Sequence, residues 1–450
     1  MSKNIIIFGA SGDLAKLKIF PAVFDLYKNK VADDETTIIG YARSQMDNSA
    51  FRENVSKSIL NAQPQADPSL IKSVVDKFNY ISGQYDQAND IAQIFDLIKT
   101  RSTGGKPEVI AYFSVPPNIF GILIKLLAVH NQDFNLKIVI EKPFGTDMQT
   151  AKELYLTISD NFRDEQVYLL DHYLGKNPVR ELVWLKQNNA ILNTIIKGEF
   201  IKSIQISALE TLGVEDRLGY YNQVGSTRDM VQSHLLQVLA LICMDLPMNS
   251  ERVPQEKEHI LACVEFDPAR DKVLFGQYDD YQQQSDEVKN STTETWTAVR
   301  LHLDRLDWQH VPIYIRTGKK MSRKWGGVVI EFKNLPTQID PGSTNKLTFE
   351  FNPDQTITFQ LNHIRSTTSL IQEPLSEIVS MSDYAQLLRD VIQSNHLHFV
   401  SFRQIIESWR IVDSILEYKQ TNPESLKTYT SLKPVKFEDE IFESSDERWL

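Results

Sequence analysis

Two patterns of hydrophobic and polar residues divide the chain. In the N-terminal part, short apolar runs that end in polar or glycine-rich turns alternate with longer stretches, and 119–129 shows helical periodicity. The apolar runs predict buried strands at 5–8, 36–40, 108–114, 137–140 and 166–170. Strands that alternate with helices predict an α/β domain with a Rossmann-like, doubly wound parallel sheet.

The pattern changes after Lys176. Strand-like segments now follow one another with few helices between them, at 203–210, 272–278, 298–304, 311–316, 328–333, 346–351 and 356–361. Helices are predicted at 179–187, 384–396 and 402–418. This part predicts an α+β domain with a large, mainly antiparallel sheet. We expect two domains, 1–171 and 172–450, and a tail from Lys433 that is only partly ordered.

The first predicted strand runs into a turn that contains two glycines. Gly9 allows a tight turn, and Gly12 allows a diphosphate to approach the start of the following helix. The spacing is GxxGxxA rather than GxGxxG, so this pattern alone also fits an ordinary strand–helix turn. The residues expected to hold a dinucleotide here are Gly9, Ala10, Ser11, Gly12, Asp13 and Leu14.

The second predicted strand ends just before Arg43 and Ser44. Sites that prefer NAD usually place an acidic residue at this strand end, whereas an arginine suits the 2′-phosphate of NADP. We therefore expect NADP as the cofactor, with Ser11 and Ser44 as additional hydroxyl donors. The alternative is that Arg43 is a solvated surface residue.

Composition excludes several classes of protein. The chain has a net charge of −11 and a pI near 5.4, which argue against general binding to nucleic acid or to an anionic membrane. Cys243 and Cys263 lack CxxC spacing, so we expect reduced thiols without a disulfide or a metal site. The N-terminal residues do not fit a signal peptide, and no apolar run approaches the roughly 18 residues of a membrane span. We expect a cytoplasmic protein.

Polar residues collect directly after two predicted strands. The strand at 166–170 leads into Asp171, and ligands of open α/β sheets bind beyond the carboxyl ends of strands. Lys142 likewise follows the strand at 137–140, where it is placed to contact both cofactor and substrate. The donors that follow Asp171 suit a phosphate dianion, although a solvated turn is the alternative; they are His172, Tyr173 and Lys176.

In the second domain, Asp229 and His234 lie near the start of an apolar helix. A lone histidine at such a place is often a packing residue rather than a catalytic one. The surrounding motifs favour a functional role.

Six segments, taken together and in order, resemble the glucose-6-phosphate dehydrogenase family. The likeness covers nearly the whole chain and continues through Asp383 and Tyr384 to the segment that begins at His398. The segments are GASGDLA from Gly9, EKPFG from Glu141, DHYLGK from Asp171, ETLGVEDRLGYY from Glu210, DMVQSH from Asp229 and VPIYIRTGKK from Val311.

The resemblance implies oxidation of glucose 6-phosphate to the 6-phosphogluconolactone, with hydride transfer to NADP, the first step of the oxidative pentose phosphate pathway. It implies that His234 is the general base and that Asp171 orients its ring. It also implies a homodimer or homotetramer and a cis peptide before Pro143. The residues implied in substrate binding are His172, Tyr173 and Lys176 at the phosphate, Glu210, Asp229 and Lys319 at the sugar, Lys142 shared with the cofactor, and Lys18 in the same cleft.

Three positions depart from the family pattern, and two other functions stay open. The departures are Asn177–Pro178 after the lysine of DHYLGK, Leu169–Leu170 before Asp171, and Ser233 before His234. None removes a group for proton transfer or phosphate binding, so we expect altered Michaelis constants rather than altered chemistry. The alternatives are an NADP dehydrogenase of another phosphosugar and a non-catalytic sensor of NADPH or sugar phosphate. A sensor would be expected to lack the base or its partner, and both are present.

Overall fold

The computed structural model describes residues 3–101, 105–247, 249–334, 344–362, 367–371, 381–444 and 447–450. The chain divides into two compact units. The first comprises Met1–Gly145, Gln149–Gly175 and Ser380–Ser401, and the second comprises Thr146–Met148, Lys176–Val379 and Phe402–Leu450. The boundary expected between 171 and 172 stays a prediction.

The first unit contains a fully parallel sheet. Its strands run in the order β3-β2-β1-β4-β5-β6, which is the order of a doubly wound dinucleotide-binding fold, so the predicted fold class is confirmed. The strands are β1 (Lys3–Phe8), β2 (Thr37–Ala42), β3 (Phe78–Ser82), β4 (Glu108–Phe113), β5 (Asn135–Glu141) and β6 (Val167–Leu170). The helices are α1 (Phe20–Lys28), α2 (Asn48–Ala62), α3 (Pro68–Val75), α4 (Ala88–Arg101), α5 (Phe120–Ala128) and α6 (Met148–Ser159).

The second unit is built on a larger, mainly antiparallel sheet, as predicted. Along the sheet the described strands run β15-β14-β13-β12-β7-β11-β10-β9-β16, with β8 paired to β10. Two pairs are parallel, β7 with β11 and β9 with β16. The strands are β7 (Ile201–Leu209), β8 (Val264–Glu265), β9 (Val273–Tyr278), β10 (Trp296–Leu303), β11 (Ile313–Gly318), β12 (Trp325–Phe332), β13 (Lys346–Asn352), β14 (Ile357–Asn362), β15 (Thr367–Ile371) and β16 (Leu426–Tyr429).

The helices that follow β6 are divided between the two units. The first unit takes α12 alone, and the second takes the rest. A stretch of π-helix, Thr227–Leu235, leads directly into α10 and packs against β7, β11 and α13. The helices are α7 (Asn177–Asn188), α8 (Ala190–Ile195), α9 (Leu218–Ser226), α10 (Leu236–Cys243), α11 (Val253–Cys263), α12 (Asp383–Ile392) and α13 (Phe402–Thr421).

A buried carboxylate joins the start of α12 to α1 within the first unit, although the two helices are far apart in sequence. Asp25 of α1 accepts hydrogen bonds from Gln63 Nε2 at 2.7 Å and from the backbone nitrogen of Ser382 at 3.0 Å. Both oxygens of a buried charge are therefore satisfied. The helix is shorter than predicted, because Ser394 adopts a φ of 57° that ends it after Ile392.

Different segments pack on the two faces of the large sheet, as the alternation of side chains along β10 shows. Thr297 bonds to Ser226 and Thr227, next to and at the start of the π-helix, through hydroxyl contacts of 2.7 and 3.0 Å. Its neighbours Trp296 and Ala298 point to the opposite face, where they belong to an apolar cluster with residues of the C-terminal segment. Both faces of the central strands are consequently buried.

The described part of the C-terminal segment, residues 433–444 and 447–450, covers that second face, so the prediction of a partly ordered tail is wrong for these residues. Val435, Ile441 and Phe442 are buried in the apolar cluster. Arg316 of β11 donates to Glu438 at 2.6 Å, and its guanidinium lies 4.1 Å from the centre of the Trp449 ring. Charged residues made this segment resemble a solvated tail, but one of these charges neutralises a buried arginine.

Among the described residues, no helix is both long enough and apolar enough to cross a membrane.

We predict that Trp449→Ala lowers the free energy of unfolding by about 2 kcal/mol, because it removes a large ring that packs on Tyr314, Phe442 and Arg316. Urea unfolding followed by circular dichroism measures this loss. The matched control is Trp184→Ala on α7, where the ring is 56% exposed and the expected change is within about 0.5 kcal/mol. Equal losses in the two variants would show that the C-terminal segment does not stabilise the sheet.

Candidate active site

The glycine turn after β1 has the shape of a dinucleotide cradle. Gly9 adopts a φ of 83°, and a Cβ atom there would lie 1.9 Å from the carbonyl oxygen of Ser114. Only glycine fits, because the chain turns against the end of β4. The backbone nitrogens of Gly9 and Ala10 both donate to the carbonyl of Tyr41, at 2.9 and 3.2 Å, so the turn is fixed to the end of β2.

The residues predicted to contact a 2′-phosphate lie beside this turn. The Ser44 hydroxyl donates to the Ser11 hydroxyl at 3.1 Å, which brings the loop after β2 next to the glycine turn. The Arg43 side chain is exposed, with its guanidinium carbon 5.8 Å from the centre of the Tyr85 ring. A fixed, accessible cation next to two hydroxyls fits a phosphate ester. These residues therefore suit NADP.

Three other predicted residues belong to the helical start after the glycine turn. Asp13 is exposed and Leu14 is half-buried. Lys18 lies on the short π-helix Ala15–Ile19, also with an exposed side chain. Its amine is accessible to an anion, but no described contact connects it with the other predicted substrate residues.

A cluster of buried acids and phenols occupies the carboxyl ends of β4, β5 and β6. Glu141 ends β5, and the Tyr112 hydroxyl donates to it at 2.5 Å. The pKa of Glu141 is raised to about 7, chiefly by burial and also by the nearby Asp171 carboxylate, while Tyr112, Lys142 and Tyr384 oppose the shift. The parallel register pairs Glu141 with Leu170, so Asp171 directly follows the neighbouring strand end. The cluster carries a carboxyl group that titrates near neutral pH.

The turn after β6 places the predicted phosphate-binding residues. Asp171 is only 1% exposed, and its carboxylate accepts a hydrogen bond from the backbone nitrogen of Tyr173 at 2.9 Å. The ring of His172, in the 3₁₀ turn His172–Gly175, stacks at 6.2 Å on Tyr384 of α12. A Cβ on Gly175 would lie 2.7 Å from the carbonyl oxygen of Asp383, so the turn packs closely on the start of α12.

The peptide bond between Lys142 and Pro143 is cis, as the resemblance implied. Lys142 follows Glu141 directly, and its side chain is half-buried. Lys176 precedes α7, and Pro178 takes the second position of that helix, so the departure at 177–178 leaves the predicted helix in place.

In the second unit, an ion pair joins two of the predicted sugar-binding residues. Glu210 follows β7 and Lys319 follows β11, and these strands are parallel neighbours with Leu209 opposite Gly318. The carboxyl ends of parallel strands meet at one edge, so the two side chains face each other, with Lys319 Nζ 2.5 Å from the Glu210 carboxylate. The hydroxyl of Tyr429 donates to the backbone carbonyl of Lys319 at 2.6 Å and holds it in place.

The π-helix Thr227–Leu235 carries both Asp229 and His234. The imidazole of His234 is fully buried, whereas Asp229 is half-buried. The Ser233 hydroxyl donates to the backbone carbonyl of Asp229 at 3.0 Å, so this departure from the family pattern is used within the helix. π-Helical segments inside α-helices are frequent at functional sites.

Several residues of these clusters were not predicted from the sequence. Tyr112 approaches Glu141 from β4, the strand next to β5, and Tyr384 approaches it from α12, which is far away in sequence. Tyr221 is buried, and its hydroxyl finds no hydrogen-bond partner among the described residues. Burial and the carboxylates of Asp229, Glu294 and Glu210 raise its pKa well above the ordinary value. Its signal was its place in the segment that begins at Glu210.

The structure therefore brings the predicted residues together in sets within each unit. Asp171, His172 and Tyr173 share one turn in the first unit, next to Glu141. Glu210 pairs with Lys319 in the second unit, where Asp229 and His234 share the π-helix. The pairing of Asp171 with His234 stays a prediction.

We predict that Glu141→Gln stabilises the protein more at about pH 8 than at about pH 5. A carboxyl pKa raised from 4.5 to about 7 gives a contribution that is complete below 4.5 and is lost as the pH rises through 7. Glutamine removes that loss, which is on the order of 2 kcal/mol. Thermal unfolding at both pH values measures it. The control Glu108→Gln breaks the ion pair with Lys137 in the same sheet and should destabilise the protein instead. A gain in thermal stability from Glu141→Gln that does not depend on pH would show that the Glu141 carboxyl does not titrate in this range.

Two family profiles cover almost the whole chain. The profile described as glucose-6-phosphate dehydrogenase, NAD binding domain, matches residues 6–181. The profile described as glucose-6-phosphate dehydrogenase, C-terminal domain, matches residues 183–450. The match to the NAD binding domain precedes the match to the C-terminal domain along the chain.

Individual proteins give the same result. The chain is 33% identical to glucose-6-phosphate 1-dehydrogenase of Helicobacter pylori strain J99, over 95% of this chain and 96% of that protein. It is 31% identical to the enzyme of that name from Bacillus subtilis, with 95% and 94% covered. A solved glucose-6-phosphate dehydrogenase in complex with its substrate glucose 6-phosphate superposes with a TM-score of 0.90 and 29% identity, over 96% and 94% of the chains. The chain belongs to the glucose-6-phosphate dehydrogenase family.

Proposed function

We propose that this chain oxidises glucose 6-phosphate at C1, with His234 as the general base and Asp171 as the group that orients it. As a member of its family, the chain is an oxidoreductase that acts on a CH–OH group and uses NADP. The product is 6-phosphoglucono-1,5-lactone. The observation that carries the proposal is the burial of an imidazole and a carboxylate, 0% and 1% exposed, at the two positions that match the family's proton-transfer pair.

In the proposed mechanism, His234 takes the proton of the C1 hydroxyl as the C1–H bond breaks. Burial excludes bulk water from the imidazole, which suits a base that must act on one hydroxyl. The carboxylate of Asp171 stabilises the imidazolium that forms. Its own orientation is set by the hydrogen bond from the Tyr173 backbone. The bound cofactor supplies the hydride acceptor.

The predicted substrate-binding site combines hydrogen-bond donors with carboxylates. We propose that His172, Tyr173 and Lys176 hold the 6-phosphate and that Lys142 contacts substrate and cofactor. Glu210 and Asp229 accept hydrogen bonds from sugar hydroxyls, and Lys319, already paired with Glu210, orients that carboxylate. Lys18 adds positive charge. A phosphate dianion needs such local cations because the chain as a whole is acidic.

We also infer a cytoplasmic homo-oligomer. Cys243 and Cys263 are both free, which fits a reducing compartment. One relative of 30% identity, from Arabidopsis thaliana, is named a cytoplasmic glucose-6-phosphate 1-dehydrogenase. The homodimer or homotetramer follows from the family resemblance.

We predict that His234→Asn lowers turnover by about a hundredfold or more and leaves the binding of both ligands in place, because the general base is lost and the packing volume is nearly kept. Steady-state rates of NADPH formation and ligand titrations measure the two effects. The control is His259→Asn on α11, an exposed histidine whose change should leave turnover intact. Normal turnover in His234→Asn would remove the proposed base.

We predict that Arg43→Ala weakens NADP about tenfold to a hundredfold and leaves NAD almost unchanged. The guanidinium loses charge-assisted hydrogen bonds to the 2′-phosphate, which are worth about 1.5–3 kcal/mol, and NAD lacks this phosphate. Fluorescence titration with both cofactors gives the ratio. The exposed Arg101→Ala in the same unit serves as control and should affect neither cofactor. Equal losses for NADP and NAD would show that Arg43 does not read the phosphate.

A further inference from the structure

The π-helix that carries His234 starts just after an interruption of the helical backbone. Gly225 adopts a φ of 69° and a ψ of 172°, which interrupts the helical path near the end of α9, two residues before Thr227. The backbone N–H groups at the start of any helix lack partners within the helix. Here, one of them is satisfied by a residue that lies far away in sequence.

Glu294 supplies that partner. Its carboxylate accepts the backbone nitrogen of Thr227 at 3.1 Å, and its backbone carbonyl accepts the nitrogen of Ser226 at 3.0 Å. A Cβ on Gly225 would lie 2.5 Å from the same carboxylate oxygen, so the Glu294 side chain packs directly on the helix interruption at Gly225. Thr297, three residues after Glu294, adds hydroxyl contacts to Ser226 and Thr227. The start of the π-helix is thus fixed by contacts from β10 and the residues just before it.

The Glu294 carboxylate is 2% exposed and is neutralised by Lys419 of α13. A buried ion pair of this kind usually contributes little net stability compared with an apolar pair of the same volume. A negative charge at the positive end of a helix, however, holds that end in one place. The arrangement therefore favours a role in geometry over a role in stability alone.

We infer that Glu294 is a positioning residue for the catalytic base: it sets the place of the π-helix and, through it, of Asp229 and His234. His234 lies seven residues after Thr227 on the same helical segment, so a displacement at the start is transmitted to the imidazole. A displacement of about 1 Å in a reacting group can reduce the rate by as much as a hundredfold. This inference rests on the proposed role of His234.

The test compares Glu294→Met, which keeps the length of the side chain but removes the acceptor, with Glu294→Gln, which keeps an acceptor oxygen. We expect the methionine variant to lose about tenfold in kcat with an unchanged KM for NADP, and the glutamine variant to recover most of the rate. The matched control is Glu331→Met on β12, another buried glutamate paired with a lysine, Lys202. It should lower the melting temperature to a similar extent and leave kcat unchanged. The double variant Glu294→Met/Lys419→Met serves if the uncompensated lysine impairs folding.

The same substitution in the His234→Asn background separates this inference from the proposed function. If Glu294 acts through the imidazole, Glu294→Met lowers kcat in the wild-type background but adds nothing once His234 is gone. An equal loss in both backgrounds, or a loss matched by Glu331→Met, would overturn the positioning role and leave the base intact. Wild-type turnover in His234→Asn alone would instead overturn the proposed base.

Discussion

The carboxyl ends of parallel strands meet at one edge of a sheet, and this constraint places most of the candidate chemistry. In the first unit, the register of β5 and β6 sets Glu141 beside Leu170, so the residue after it, Asp171, is adjacent to a second buried carboxyl. In the second unit, the parallel pairing of β7 with its neighbour β11 joins Glu210 to Lys319. The same rule therefore produces an acid cluster in one unit and an ion pair in the other.

Groups gathered in this way are expensive to bury unless they are satisfied, and their partners determine how firmly they are held. Glu141 receives the hydroxyl of Tyr112, and Glu294 is bonded to both the π-helix and Lys419. Such contacts fix polar groups before any ligand arrives, which is what a proton transfer and a phosphate grip require. Burial and fixed orientation together connect the fold to the proposed reaction.

Features that depend on neighbours in sequence were predictable, and features that depend on distant contacts were not. Most strands of the two sheets, the glycine turn and the polar residues after strand ends follow local patterns of apolar spacing and breakers, whereas β3, β8, β15 and β16 were not predicted. The attachment of α12 through Asp25 and Ser382, and with it the position of Tyr384, depends on residues more than 350 positions apart. The C-terminal segment was predicted wrongly for the same reason, since Glu438 has the composition of a tail until its partner Arg316 is known. The role of Glu294 depends on Thr227, 67 positions earlier.

On this chain, the hydrogen that leaves C1 of glucose 6-phosphate is transferred to NADP. The most direct measurement uses glucose 6-phosphate that carries deuterium at C1, with mass spectrometry of the reduced cofactor. We expect one deuterium in each NADPH formed and a 6-phosphogluconolactone without the label. Reduced cofactor that lacks deuterium, or no reduction of NADP at all, would contradict this transfer.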